Sequence, residues 1–218
     1  MGGVYRRAGD RRPVFCLPFA NVLTVMASSP VAITLTHATL DELAACLPDI
    51  RQAPTDHGVV AMVVRRPAEG ARDVLGEGMF SEDDGLAGDT WRQRRSRRSA
   101  DGSPHPDMQV TLMGTRAIRA ITPDESRWPL AGDQLIVDLD LTYANLPPGT
   151  RLQVGQAILQ VTDQPHTGCD KFIARFGVDA MKWVNSPEGR ALNLRGIYAK
   201  VVAPGAVRPG DTVRKLAI

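Results

Sequence analysis

The sequence predicts a mainly β fold, a closed or nearly closed barrel of short strands with small helices inserted. Short alternations of apolar and polar residues recur over 134–141, 152–161 and 197–201, the period of half-buried strands. Twenty glycines and 16 prolines in 218 residues separate them, more turn formers than a helical bundle uses. The hydrophobic and charged fractions, 43% and 23%, are those of an ordinary globular chain. At this length such a chain buries enough surface to fold without disulfides or metal.

The formal net charge of +2 is too small to imply a nucleic-acid partner. Three cysteines, an odd number, argue against a disulfide framework and leave at least one free thiol. A reduced thiol points to the cytoplasm, and no apolar run reaches the length of a membrane span. Arg6, Arg7, Arg11 and Arg12 before the apolar stretch 14–27 have the outline of a secretory signal, but Pro18 and Asn21 interrupt it. Residues 1–30 are therefore read as an extension, with Met26 as an alternative start, and 31–218 as a single domain.

The elements follow in order. Thr39 and Glu42 have the spacing of a capping box, and Leu40, Leu43 and Leu47 share a face, which predicts a helix over 39–47 with Cys46 as a small buried hydrophobe. Pro48 and Pro54 bracket a loop, and the apolar run 59–64 reads as a buried strand. Residues 109–112 read as a strand and 115–121 as a helix. Thr122, Pro123 and Glu125 stand as N-cap, N1 and N3 of a further turn. Leu135, Val137, Leu139 and Leu141 then alternate with Gln134, Asp138 and Asp140. Strands at 152–154 and 157–161 flank Gly155. A strand at 197–201 and two Pro-Gly turns, at 204–205 and 209–210, complete the chain.

Residues 66–108 are the least regular part. Glu82, Asp83 and Asp84 precede a basic cluster of Arg92, Arg94, Arg95, Arg97 and Arg98. Guanidinium forks at that density suit phosphate or another oxyanion, although a solvated charged loop has the same composition. Trp91 is the one interleaved aromatic, poor support for a nucleic-acid groove.

The most chemically suggestive segment is 162–172, with His166, Gly168, Cys169 and Lys171. Phe172 and Phe176 at i, i+4 predict a helix from about Asp170, which places Cys169 at its start. There the helix dipole, Lys171 and a protonated His166 would favour thiolate, the form that acts as nucleophile, sulfur carrier and soft metal ligand, while Asp170 opposes them. An inert cysteine and an exposed loop histidine are the bland readings of the same residues. Neither Cys-x-x-Cys nor His-x-His occurs, which disfavours a zinc site. Gly-x-Gly-x-x-Gly, Walker and Gly-x-Ser-x-Gly motifs are absent too, removing the common nucleotide-binding and esterase readings.

Several stretches together resemble a MOSC domain, the module named after the C-terminus of molybdenum cofactor sulfurases. They are Gly85-Leu86-Ala87-Gly88-Asp89, Ala131-Gly132-Asp133-Gln134-Leu135, Asn145-Leu146-Pro147-Pro148-Gly149, Val154-Gly155-Gln156-Ala157, Gly168-Cys169, 195–201 and 205–211. The resemblance covers roughly 58–216. It implies a MOSC-type β-barrel whose cysteine, Cys169 by position, carries sulfur as a persulfide or ligates the molybdenum of a pterin cofactor. The partners it implies are that cofactor or a sulfur donor protein, a cysteine desulfurase. Pyridoxal phosphate would belong to the desulfurase and is not expected in this chain, which is too short for that domain or for the extra barrel of larger relatives. Chemistry alone adds Arg92, Arg94, Arg95 and Lys171 as cofactor-binding cations, His105 as a polar site residue and His166 as a catalytic partner of Cys169. A second class of function is a non-catalytic module in which the arginines dock an anion or partner and Cys169 is structural. A third, a thiol hydrolase using Cys169 and His166, lacks a recognisable orienting residue.

Overall fold

The computed structural model describes residues 37–216; the extension expected over 1–30 lies outside the described residues. The chain enters through α1 (Leu40–Ala45), where Thr39 and Glu42 form the expected capping box. In α2 (Leu47–Ile50), Pro48 occupies the first turn rather than a loop, because its missing N–H costs nothing there. Cys46, between the two helices, is only half-buried and its thiol donates to the Glu42 carbonyl at 3.4 Å.

Seven strands close a barrel: β1 (Gly58–Arg65), β5 (Val110–Gly114), β6 (Leu135–Asp138), β7 (Arg151–Val154), β8 (Ala157–Val161), β9 (Ile197–Ala203) and β11 (Thr212–Lys215). The order around it is β11-β7-β8-β9-β5-β6-β1, and the β1–β11 pairing of Gly58 with Val213 completes the ring. β2 (Asp73–Leu75) extends the sheet beside β1. A small second sheet is formed by β10 (Gly205–Val207), β3 (Gly78–Ser81) and β4 (Gly85–Leu86). β2, β3 and β4 fall in the stretch that reads as irregular from sequence; each is too short to carry a periodic signal.

All neighbouring barrel strands are antiparallel except β5 and β6. A parallel pair requires a crossover. Here it is α3 (Thr115–Ile121) followed by a 3-10 stretch, Glu125–Ala131. That stretch is capped by Asp124, whose Oδ1 accepts from the Ser126 amide at 3.0 Å, and not by Thr122. Thr122 is buried, its carbonyl taking the Trp128 indole N–H at 3.1 Å. α4 (Asp170–Asn185) and α5 (Pro187–Ala191) lie between β8 and β9, and α4 breaks at Gly177, which has φ +86°.

Strand alternation divides the core in two. Val110, Leu112, Leu135, Val137, Leu159, Ile197 and Ala199 fill the barrel interior. Met113 and Ile136, on the opposite faces of β5 and β6, join Leu43, Ile118, Phe172, Phe176 and Trp183 in a second cluster between barrel and helices. The alternation expected over 134–141 therefore does not mark a solvated face: Gln134 is fully buried. Its Oε1 accepts from the Thr111 amide and hydroxyl at 2.9 and 2.6 Å, and its Nε2 donates to the Gln109 carbonyl at 3.1 Å, so every buried polar atom of the amide is used. The regular strand also stops at Asp138, although Leu139 and Leu141 still enter the barrel core.

The irregular stretch is tied to this frame by Arg66 and Asp89. The Arg66 Nε and one terminal nitrogen each donate at 2.8 Å to a different Asp89 oxygen, and the Arg66 and Trp91 amides donate to the same carboxylate. Burial alone would raise this carboxyl, but the Arg66 hydrogen bonds and charge outweigh it and hold the group below its ordinary range. Asp89→Ala leaves a buried guanidinium without its counter-ion, and the expected loss in a urea unfolding experiment is about 3–5 kcal/mol. A loss under about 1 kcal/mol, the range of exposed pairs, would show that the pair is not an anchor.

Candidate functional site

The inward positions of β9 are Ile197, Ala199 and Val201, so Tyr198 and Lys200 project from the outside of the barrel. Thr111 projects likewise from β5. Tyr198 and Thr111 line a cleft of about 410 Å³ on that outer face, with Trp91, the 94–98 arm, Gly132 and the start of α4 around it. Its size is that of a small-molecule site.

The cleft is strongly cationic. Arg66, Arg72, Arg94, Arg95, Arg97, Arg98, Lys171, Arg175 and Arg195 line it, and no carboxylate among the described residues does. Three of these cations are neutralised from behind. Arg66 pairs with Asp89, Arg195 with Asp133 at 2.7 Å, and Lys171 with the exposed Glu69 at 2.5 Å. The other six have no carboxylate at ion-pair distance among the described residues. Several are held by neutral acceptors: Arg72 by the Pro129 carbonyl, Arg175 by the Leu130 carbonyl, Arg94 by the Thr90 hydroxyl and Arg98 by the Gln164 side-chain carbonyl. Burial, reinforced by the neighbouring Arg66 charge, pushes Arg94 down to about 10; burial and the charges of Arg175 and Arg66 lower Arg72. Even so lowered, Arg94 remains charged at neutral pH.

Beneath them lies a buried polar group of Asp133, His166 and Arg195. Arg195 donates to Asp133 Oδ2 and to the Ala131 carbonyl, and its guanidinium carbon sits 5.0 Å from the Phe172 ring centroid. His166 stacks on Tyr198 with centroids 4.5 Å apart. Its Nδ1 lies 3.7 Å from Asp133 Oδ1, too far for a hydrogen bond, and both atoms, with Arg195 Nε, are buried without a partner. The histidine is thus neither an exposed loop residue nor a protonated neighbour of the cysteine. Desolvation first, then the charges of Arg195, Arg66 and Arg98, hold it well below its ordinary value and keep the ring neutral.

Cys169 is exposed at the cleft, as the residue preceding α4. Its position is set by Gly168 and Asn185. The Gly168 amide donates to Asn185 Oδ1 at 2.9 Å, and Asn185 Nδ2 donates back to the Gly168 carbonyl at 3.2 Å. A Cβ at 168 would meet the Val184 side chain at 3.1 Å, so glycine permits this close approach. The helix itself contributes little, since the break at Gly177 leaves only residues 170–176 aligned behind Cys169.

Of the residues singled out from sequence, Cys169, His166, Arg94, Arg95, His105 and Lys171 meet at this one cleft. His105 also uses Nδ1 to cap the turn at 106–108, accepting from the Asp107 amide at 3.2 Å. Arg92 stands apart: it is exposed, paired with Asp84 at 2.7 Å, and absent from the lining. Sequence reasoning missed Arg66, Arg72, Asp133, Arg175, Asn185, Arg195 and Tyr198 as site residues. Asp89, Asp133 and Arg195 do stand in the quoted motifs, but nothing in spacing pairs Asp133 with Arg195 across 62 positions.

A closed barrel with helices on one side and a cationic, cysteine-bearing cleft beneath them defines the class. Residues 107–214 match the MOSC domain, and the chain belongs to the MOSC domain family. Solved structures share the fold. One, described as a hypothetical protein, is 22% identical with a TM-score of 0.51, covering 74% of this chain and 68% of that one. The YuaD protein from Bacillus subtilis is 18% identical with a TM-score of 0.51, covering 72% and 94%. YiiM from Escherichia coli aligns at 21% identity and a TM-score of 0.49, covering 73% and 70%. No curated protein matches the sequence. No helix among the described residues is long and apolar enough to cross a membrane.

The depressed His166 sets a pH dependence. The unfolded ring takes a proton below pH 6.5 whereas the folded ring does not, so stability is full above 6.5 and falls as the pH drops below it. Urea unfolding between pH 7 and 5 is expected to show a slope of up to about 1.4 kcal/mol per pH unit from this group. His166→Gln should flatten it; an unchanged slope would assign the acid sensitivity elsewhere.

Proposed function

We propose that the chain binds an anionic, phosphate-bearing pterin-type molybdenum cofactor in this cleft, with the Cys169 sulfur presented to its metal. One observation carries the reading: an exposed cysteine shares a cleft with nine cations, six of them without a carboxylate partner among the described residues. The residues fit such a group. A thiolate is a soft ligand, guanidinium forks suit phosphate oxygens, and Asp133 Oδ1, His166 Nδ1 and Arg195 Nε are buried polar atoms in want of a partner. No group of three or more His, Cys, Asp or Glu suited to a metal comes together among the described residues, so a metal at Cys169 would arrive with other ligands of its own.

When bound, the cofactor would supply redox chemistry at molybdenum. The chain's residues bind and orient. Arg94, Arg95 and Arg97 offer donors to phosphate, and the Asn185 clamp fixes the backbone before Cys169. The neutral His166 can exchange hydrogen bonds with a polar ligand edge without adding charge.

Exposure of Cys169 also favours a second reading, sulfur carriage. Its thiolate would attack the outer sulfur of a persulfide on a donor such as a cysteine desulfurase. The donor S–S bond breaks, a new one forms at Cys169, and the donor leaves as thiolate, with no external oxidant or reductant. The same exposure weighs against a purely structural cysteine.

Both readings are tested by native purification from cells that make the pterin, followed by metal analysis and intact mass. Wild type is expected to retain molybdenum or one added sulfur atom, and Cys169→Ser to lose it. Retention of either by Cys169→Ser, or of neither by wild type, overturns the assignment.

A further inference from the structure

The cleft does not end at the cavity that holds Cys169. A second cavity of about 400 Å³ adjoins it, and Arg72, Arg94, Lys171 and Arg175 line both. The four cations therefore form a shared wall. Lys171 is tied to Glu69, the one carboxylate among the side cavity's lining residues; the Glu69 side chain is 85% exposed and so able to turn toward solvent. Arg72, Arg94 and Arg175 have no carboxylate at ion-pair distance among the described residues. Arg94 and Arg175 each have a neutral oxygen on one nitrogen, from Thr90 and Leu130, and Arg72 has two, the Pro129 and Ala71 carbonyls, which leaves other N–H donors of all three without an acceptor among the described residues.

From this arrangement we infer that the ligand carries two phosphoryl groups, a diphosphate bridging the arginine wall, with a nucleoside-like second moiety in the side cavity. The inference rests on the anionic-cofactor reading above and deepens it from a monophosphate to a nucleoside-diphosphate class. Two physical arguments favour it. Three mutually repelling guanidiniums on one wall call for more negative charge than one phosphate supplies, and a diphosphate presents oxygens to both sides. The side cavity nearly doubles the available volume, more room than an added phosphoryl group needs.

The test uses the full chain with three probes, inorganic phosphate, inorganic pyrophosphate and ADP, titrated calorimetrically at fixed ionic strength. Gln93 lines only the side cavity and is exposed, so Gln93→Trp obstructs that cavity without touching the core. In wild type, pyrophosphate is expected to bind about tenfold or more tighter than phosphate, and ADP tighter than pyrophosphate. In Gln93→Trp the advantage of ADP should vanish while phosphate affinity stays within about twofold. Arg72→Gln should lower pyrophosphate affinity more than phosphate affinity. Pyrophosphate no tighter than phosphate, ADP no tighter than pyrophosphate, or an ADP preference that survives Gln93→Trp each overturns the inference. None of the three probes carries sulfur or molybdenum. Failure of the diphosphate preference thus stays separate from failure of the sulfur and molybdenum test.

Discussion

Two buried carboxylates, Asp89 and Asp133, govern the cleft through the arginines they hold. Each takes one guanidinium from behind, Arg66 and Arg195, and each side chain is itself fully removed from solvent. Breaking either pair would leave a buried cation unmatched, a large cost, so the pairs fix the segments that carry them. Because these two acids are paired with Arg66 and Arg195, they make no ion pair with Arg72, Arg94, Arg95, Arg97, Arg98 or Arg175. The net charge of +2 conceals this, since no acidic residue among the described ones lines the cleft. The cleft's excess of positive charge follows from where charge is compensated rather than from how much of it the chain has.

The barrel supplies the geometry. A strand whose faces both pack against protein must put something on its outer side, and here that side is divided. Ile136 and Met113 meet the helices, while Thr111 and Tyr198 meet the cleft. Gln134 bridges the two regions by saturating the edges of Gln109 and Thr111. The parallel β5–β6 pair has a related consequence. Its crossover returns the chain through Ala131, Gly132 and Asp133, which delivers the Ala131 carbonyl and the Asp133 carboxylate to Arg195.

Much of this was legible in the sequence. The strands at 151–154, 157–161 and 197–203 carry clean alternation because one side faces a core of aliphatics, and Thr39 with Glu42 announces a helix start by local chemistry alone. The same alternation misled over 134–141, since an outward glutamine on a covered strand has the same letter pattern as one in water. Pro48 misled for a related reason: loop and first helical turn both accept proline. At the site, Cys169 and the arginine cluster announced themselves by residue type. The Asp133–Arg195 and Arg66–Asp89 pairs did not, because partnership across 62 and 23 positions is created only by strand order. Arg92 shows the converse, a residue of the right type whose side chain turns to Asp84 instead.

The source of electrostatic attraction at Cys169 also differs from what the sequence suggests. A helix start supplies about half a unit of positive charge, and only when its peptide dipoles are aligned over several turns. Gly177 stops that alignment after seven residues, and the neutral His166 adds no charge. What surrounds the cysteine is instead a set of full guanidinium charges in a partly desolvated cleft, where each is worth more than it would be in water. On the proposed reading, an anionic ligand drawn to those arginines would be brought to the sulfur by the same field. Binding and delivery to Cys169 would then be one electrostatic event, with the Asn185 clamp on Gly168 keeping the backbone before the sulfur in place while the ligand's charge is matched.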